Sequence, residues 1–151
     1  MADNFIADED IRDIAQAYAL DAVDDALRNM GITLDWSESS VAAVEYVLDR
    51  LCKTARVEKP PSEKVETVAK IFGSYIGEVF IRNHGGSWGW VSVTGEPIPG
   101  IRSANGGHMF WPWARTLKRL REGAEENVWH YYLHLTDRLS SIGTFEPDPK
   151  R

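Results

Sequence analysis

At Gly85-Gly86 the chain changes its hydrophobic period, and neither an all-helical nor an all-strand fold accommodates that change. Before it, Val65, Val68, Ala69, Phe72, Ile76, Val79 and Phe80 recur at steps of three and four, the spacing of one helix face. After it, Trp88, Trp90 and Ser92 alternate with Gly89, Val91 and Val93, as in a strand, until the turn composition Thr94-Gly95-Glu96-Pro97. Residues 98–102 and 108–111, separated by Asn105-Gly106-Gly107, supply two more short strands.

The remaining segments read as helices. Ile11, Ile14, Ala15, Tyr18, Ala22, Ala26 and Leu27 mark an amphipathic helix over roughly 9–29, with Asp8 as N-cap and Gly31 as stop. Ser37-Glu38-Ser39-Ser40 can cap a second helix that carries Val41, Val44, Leu48 and Leu51 on one side. Pro60-Pro61 forbids its continuation, and Ser62 restarts a third that Gly85-Gly86 ends. Pro112 opens a fourth, with Trp113, Leu117 and Leu120, which Gly123 closes. The fifth turns Val128, Tyr131, Tyr132, Leu135, Leu139 and Ile142 inward. The expected fold is therefore α+β: a mainly helical single domain over 1–151, with about five helices and a small antiparallel sheet of two to four short strands between helices three and four. The stretch from about 144 to 151 has too little apolar content to pack and is expected to be mobile.

No apolar run approaches the roughly 20 residues of a membrane span. Residues 1–5 lack the basic start and apolar stretch of a signal peptide, so a cytoplasmic location without a membrane partner is expected. The single Cys52 excludes an intrachain disulfide, fits a reducing compartment, and sits among Val44, Val47, Leu48 and Leu51, where burial is its expected role. The net charge of −6 conceals a larger imbalance. Residues 1–49 carry 12 acidic and 2 basic side chains, a net of −10, and residues 50–151 carry a net of +4. Such a field repels nucleic acid and attracts a basic protein, with Asp21, Asp24, Asp25, Asp35 and Glu38 as the candidate steering residues. The bland reading of the same carboxylates is a solvated, solubilising face.

Gly73 and Gly77 lie one turn apart and bare a helix face, which close packing must offset against roughly 1 kcal/mol of helix propensity lost per glycine. Glu78 beside that face is expected to be partly buried and ion-paired with a base such as Arg82 or Arg102; no second acid or nucleophile stands at a fixed spacing to make it catalytic. Strand alternation puts Trp88 and Trp90 on one face, near the Trp111-Pro112-Trp113 corner. They form either an aromatic core or a cleft with Glu78, Arg102 and His108. His130, His134 and Asp137 share a helical face that points away from the apolar one, so no metal or cofactor is expected. The bases Arg115, Lys118, Arg119 and Arg121 read as a solvated face pairing internally with the acidic N-terminal helix.

Leu34-Asp35-Trp36-Ser37-Glu38-Ser39-Ser40, followed by Gly73-x-Tyr75-Ile76-Gly77-Glu78 and Gly85-Gly86-x-Trp88, resembles a group of small, uncharacterised bacterial cytosolic domains. These share an LD-aromatic-S connection and a GxYxGE…GGxW helix-to-strand junction, and the resemblance covers about residues 10–135. Some proteins of this sort resemble immunity or accessory proteins encoded beside secreted bacterial toxins. The resemblance offers no catalytic residue to carry over. With the charge division, it leads to the expectation of a non-catalytic, immunity-type inhibitor that binds a basic partner such as a bacterial toxin. Two other classes compete with it. One is a small-molecule-binding or enzymatic domain built on the cleft of Glu78, Trp88, Trp90, Arg102 and His108; the other is an oligomeric structural or accessory module.

Overall fold

The computed structural model describes residues 4–93, 95–105 and 107–139, with side chains through residue 137. Ile142, the Leu139 side chain and the C-terminal stretch of the sequence reading fall outside that description. The element order is β1 (Asn4–Ala7), α1 (Glu9–Met30), α2 (Ser40–Glu58), α3 (Ser62–His84), β2 (Gly86–Ser92), β3 (Ile98–Ser103), β4 (Met109–Phe110), α4 (Pro112–Glu122), a 3-10 turn at Ala124–Glu126, and α5 (Val128–Leu139).

The α+β architecture is the one the periods predict. The four strands form one antiparallel sheet in the order β1-β2-β3-β4, and three of them lie between α3 and α4. The fourth, β1, precedes α1 and pairs along β2, with Phe5 opposite Val91 and Ala7 opposite Gly89. Three helices thus form one long connection between the paired strands β1 and β2. Among the described residues, no helix is long and apolar enough to cross a membrane.

Helix boundaries follow from local chemistry. Asp8 has extended backbone, and its Oδ1 accepts from the amides of Asp10 (2.8 Å) and Ile11 (3.1 Å), donors that otherwise lack an intrahelical partner. Gly31 closes α1 in the left-handed conformation, φ 67°, which glycine adopts without steric cost. At the start of α2 the capping is less direct than expected. Ser39 occupies the cap without a side-chain bond, and the Ser37 hydroxyl accepts from the Ser40 amide at 3.2 Å instead.

Helix α3 is the axis of the molecule, touching α1, α2, α4 and the sheet. Its residues Phe72 to Phe80 are buried without interruption. Phe80 meets Phe110 of β4 edge to face, with ring centroids 4.8 Å apart. Against α3, α1 buries Ile11, Ala15, Ala19, Ala22 and Ala26, while Ile14 and Leu27, expected inside, are exposed. The alanine stripe explains this: small side chains let the two helices approach closely, and the larger residues at the margin of the contact stay outside it. Cys52 is buried and free, as expected.

Candidate functional site

Gly77 determines how the sheet meets α3. With no side chain there, the Trp88 ring and the Ile101 side chain lie directly over the helix backbone. This seats the indole so that its Nε1 donates to Glu78 Oε2 at 2.9 Å. Glu78 is 5% exposed, which makes it a buried carboxylate whose hydrogen-bond donor is an uncharged indole. The ion pair expected with Arg82 or Arg102 does not form. Arg82 lies over the Trp36 ring at 3.6 Å and Arg102 over the Phe5 ring at 5.9 Å. A cationic side chain stacked on an aromatic face keeps part of its stabilisation without needing a carboxylate.

Glu78 lines a cavity of about 380 Å³. Its other walls come from the first turns of α1 (Asp8, Glu9, Arg12, Gln16) and the start of β2 (Ser87, Trp88). Asp8 is also bonded to Trp90, its Oδ2 accepting from the indole at 2.9 Å. The Ile11 amide, and after it the Trp90 indole, hold the Asp8 carboxyl below its ordinary range. Of the five residues expected to share a cleft, the structure brings Glu78 and Trp88 together, while Trp90 does not line the cavity and its indole is bonded to the wall residue Asp8. Arg102 lines a separate depression with Phe5 and Gly107. His108 is tied into the β3–β4 turn, its amide donating to Ser103 Oγ at 3.0 Å.

The five acidic candidates also separate. Asp21 is exposed on α1, Asp24 is paired with Arg28, and Asp25 accepts from the Asn29 amide group at 2.9 Å. Asp35 closes on its own turn, accepting from the Ser37 hydroxyl (2.6 Å) and amide (3.1 Å), which lowers its pKa. Glu38, on the connection before α2, turns its carboxylate toward α3 and α5. Its Oε2 accepts from the Tyr132 hydroxyl at 2.5 Å and lies 2.6 Å from His84 Nε2.

The motif residues of the connection are accounted for by one relay. The Trp36 amide donates to Tyr75 Oη (2.8 Å), Tyr75 and Ser40 share a hydrogen bond (2.7 Å), and Ser40 Oγ donates to the Ser37 carbonyl (2.6 Å). Trp36, held at φ 70°, stacks on Tyr75 with centroids 4.7 Å apart. The relay and the stack fasten the connection to α3.

Burial raises the pKa of Tyr75, against the opposing bonds from Ser40 and Trp36. Burial, followed by the Glu38 hydrogen bond and charge, raises that of Tyr132. For a group whose folded pKa is raised, the contribution to stability is complete below the unfolded value of 10.0 and is lost as pH climbs beyond it. At about pH 11 the folded protein should keep the Tyr132 phenol protonated. Absorbance at 295 nm should then rise when urea is added at that pH, whereas ionisation of all five tyrosines in the folded protein would contradict the burial assigned to Tyr132.

The basic cluster is not a free face. Arg115 pairs with Glu126, Arg121 with Glu66 at 3.3 Å, and Arg119 with Glu45 and Asp49, each at 2.8 Å. The acidic partner of Arg119 is therefore α2, not the N-terminal helix. Among the described residues, no group of three or more His, Cys, Asp or Glu side chains is placed to hold a metal ion. No family model, curated protein or solved structure matches this chain.

Proposed function

We propose that this chain is a non-catalytic binding protein that docks a basic partner protein on the outward face of α1, as an immunity-type inhibitor of a toxin would. The observation that carries the reading is the placement of Leu20 and Leu27. They lie seven residues apart, two turns along one side of α1, and are 62% and 55% exposed. Half-buried Val23 and Met30 continue the strip toward the core. Exposed apolar side chains within a polar rim are the usual make-up of an interface centre, where desolvated contacts supply most of the affinity.

The rim decides what kind of partner fits. Helix α1 carries six carboxylates, at Glu9, Asp10, Asp13, Asp21, Asp24 and Asp25, against the guanidiniums of Arg12 and Arg28. A second copy would present the same acidic strip and be repelled, which favours a basic partner over self-association. Asp21 has no ion-pair partner among the described residues, so its field acts outward.

With the partner captured from a lysate of the source cells, changing Asp21, Asp24 and Asp25 together to asparagine should slow association about tenfold at low salt, with a much smaller effect on dissociation. The difference should shrink toward about 0.5 M salt, where the screening length falls to about 4 Å. Leu20→Asp with Leu27→Asp should abolish capture while leaving the circular dichroism spectrum unchanged. An acidic partner, or a triple variant that associates as fast as the parent, would sink the proposal.

A further inference from the structure

The Glu78 cavity has a chemistry of its own, independent of whether α1 docks a protein. A carboxylate removed from water is costly unless charge or hydrogen bonds compensate it. Glu78 is 5% exposed, and its hydrogen bond comes from the neutral Trp88 indole. Among the described residues, no Lys, Arg or His nitrogen lies within ion-pair distance of it. The cavity it lines is about 380 Å³, within the size range of small-ligand sites. Three carboxylates line that space, Glu78 at the base with Asp8 and Glu9 from the start of α1. They face a single guanidinium, Arg12, which is itself bound to Asp13 at 3.0 Å. The charge of the wall is therefore negative, none of its three carboxylates is in an ion pair among the described residues, and Glu78 is the buried one. Trp88 adds an aromatic surface, which attracts an ammonium or guanidinium.

We propose that this cavity binds an organic cation, with an ammonium or guanidinium head paired to Glu78 and a short apolar stem beside Trp88. The head belongs either to a free small molecule or to a lysine or arginine side chain of a bound protein. Both share the recognition chemistry.

The test uses the full chain and four probes. Butylamine and agmatine represent free cations, N-acetyl-arginine methylamide represents a side chain on a polypeptide, and butanol is the neutral control. Binding is read by calorimetry and by the fluorescence of Trp88, assigned through Trp88→Phe. The cations are expected to bind at least tenfold more tightly than butanol. Binding of agmatine without the capped arginine identifies a free metabolite as the source, and binding of both identifies a protein side chain as an acceptable one. Glu78→Gln keeps an oxygen acceptor for the indole and removes the charge, and should weaken cation binding at least tenfold. Should that variant fail to fold, Glu9→Lys at the exposed rim should weaken binding severalfold with Glu78 intact. Equal binding of amine and alcohol, or no binding of any cation at 10 mM, or cation affinity unchanged in a folded Glu78→Gln protein, would overturn the proposal.

Discussion

Arg119→Met is expected to destabilise the protein by about 3–5 kcal/mol, the range for removing one member of a buried ion pair. Arg119 is 1% exposed. Its Nε and Nη2 donate to Glu45 at 3.0 and 2.8 Å, and Nη2 also donates to Asp49 at 2.8 Å. Glu45 has a second task, because its Oε1 accepts from the Val128 amide at 3.0 Å, at the first residue of α5. One guanidinium thus holds α4 to α2 and, through Glu45, to the start of α5. Methionine fills much of the space and leaves Glu45 facing the core with the Val128 amide as its remaining donor. Lysine should not rescue the site, since a single ammonium cannot reproduce the planar fork that reaches both carboxylates. The midpoint of urea unfolding measures the loss, and a midpoint within error of the parent would refute it. Adding Glu45→Leu to Arg119→Met should recover stability, because the uncompensated charge is then gone. Lys53, and then Arg119, hold Asp49 below its ordinary value of 3.8. The sign follows: that contribution is present above pH 3.8 and fades as pH falls through the lowered value.

The second large effect is expected at Gly77, where alanine should destabilise by about 1–3 kcal/mol although it is the better helix former by roughly 1 kcal/mol. A Cβ there would stand 2.5 Å from Cζ2 and 2.7 Å from Cη2 of Trp88, and 2.8 Å from Cδ1 of Ile101. Relief requires the indole to move, and the indole is confined by Trp113, whose ring centroid is 5.9 Å away, and by its bond to Glu78. The methyl group therefore costs packing and a buried hydrogen bond together. Gly77→Leu should lie at or beyond the upper end of that range. A denaturation midpoint equal to or above that of the parent would show that the ring yields freely and that the close approach carries no energy.

These two sites mark where the sequence is readable and where it is not. The bare face at Gly73 and Gly77 is visible in the spacing alone, and so is the neighbouring Glu78 as a half-hidden acid. Its partner is not, because Arg82, Arg102 and the Trp88 indole all lie within reach of a strand whose placement on α3 the sequence does not give. Boundaries set by local chemistry, at Asp8, Gly31, Pro60-Pro61, Gly85-Gly86 and Pro112, are legible since the residues that set them are contiguous with the elements they bound. Strand β1 is not: four residues with Phe5 and Ile6 adjacent offer no period to detect. The same limit hides the Glu38–His84–Tyr132 cluster and the Arg119 network, whose members stand 46 to 94 residues apart. On α1 the spacing places Ala15, Ala22 and Ala26 inward correctly but adds Ile14 and Leu27, which stay outside because the closest contact between two helices selects for small size over hydrophobicity.

The pairing of Ala7 with Gly89 has a kinetic side. Closing the sheet on β1 encloses α1, α2 and α3 in one loop, and the entropy of that closure is recovered only when β2 is already in place. The helical layer has no such requirement, since α1 and α3 can bury the alanine stripe as soon as both exist. Until β1 pairs with it, β2 has an open edge on that side, and an unpaired edge is where another chain can pair instead. Asp8 lies at the junction, capping α1 and holding Trp90 of β2, so one side chain ties the helix start to the strand that β1 pairs with.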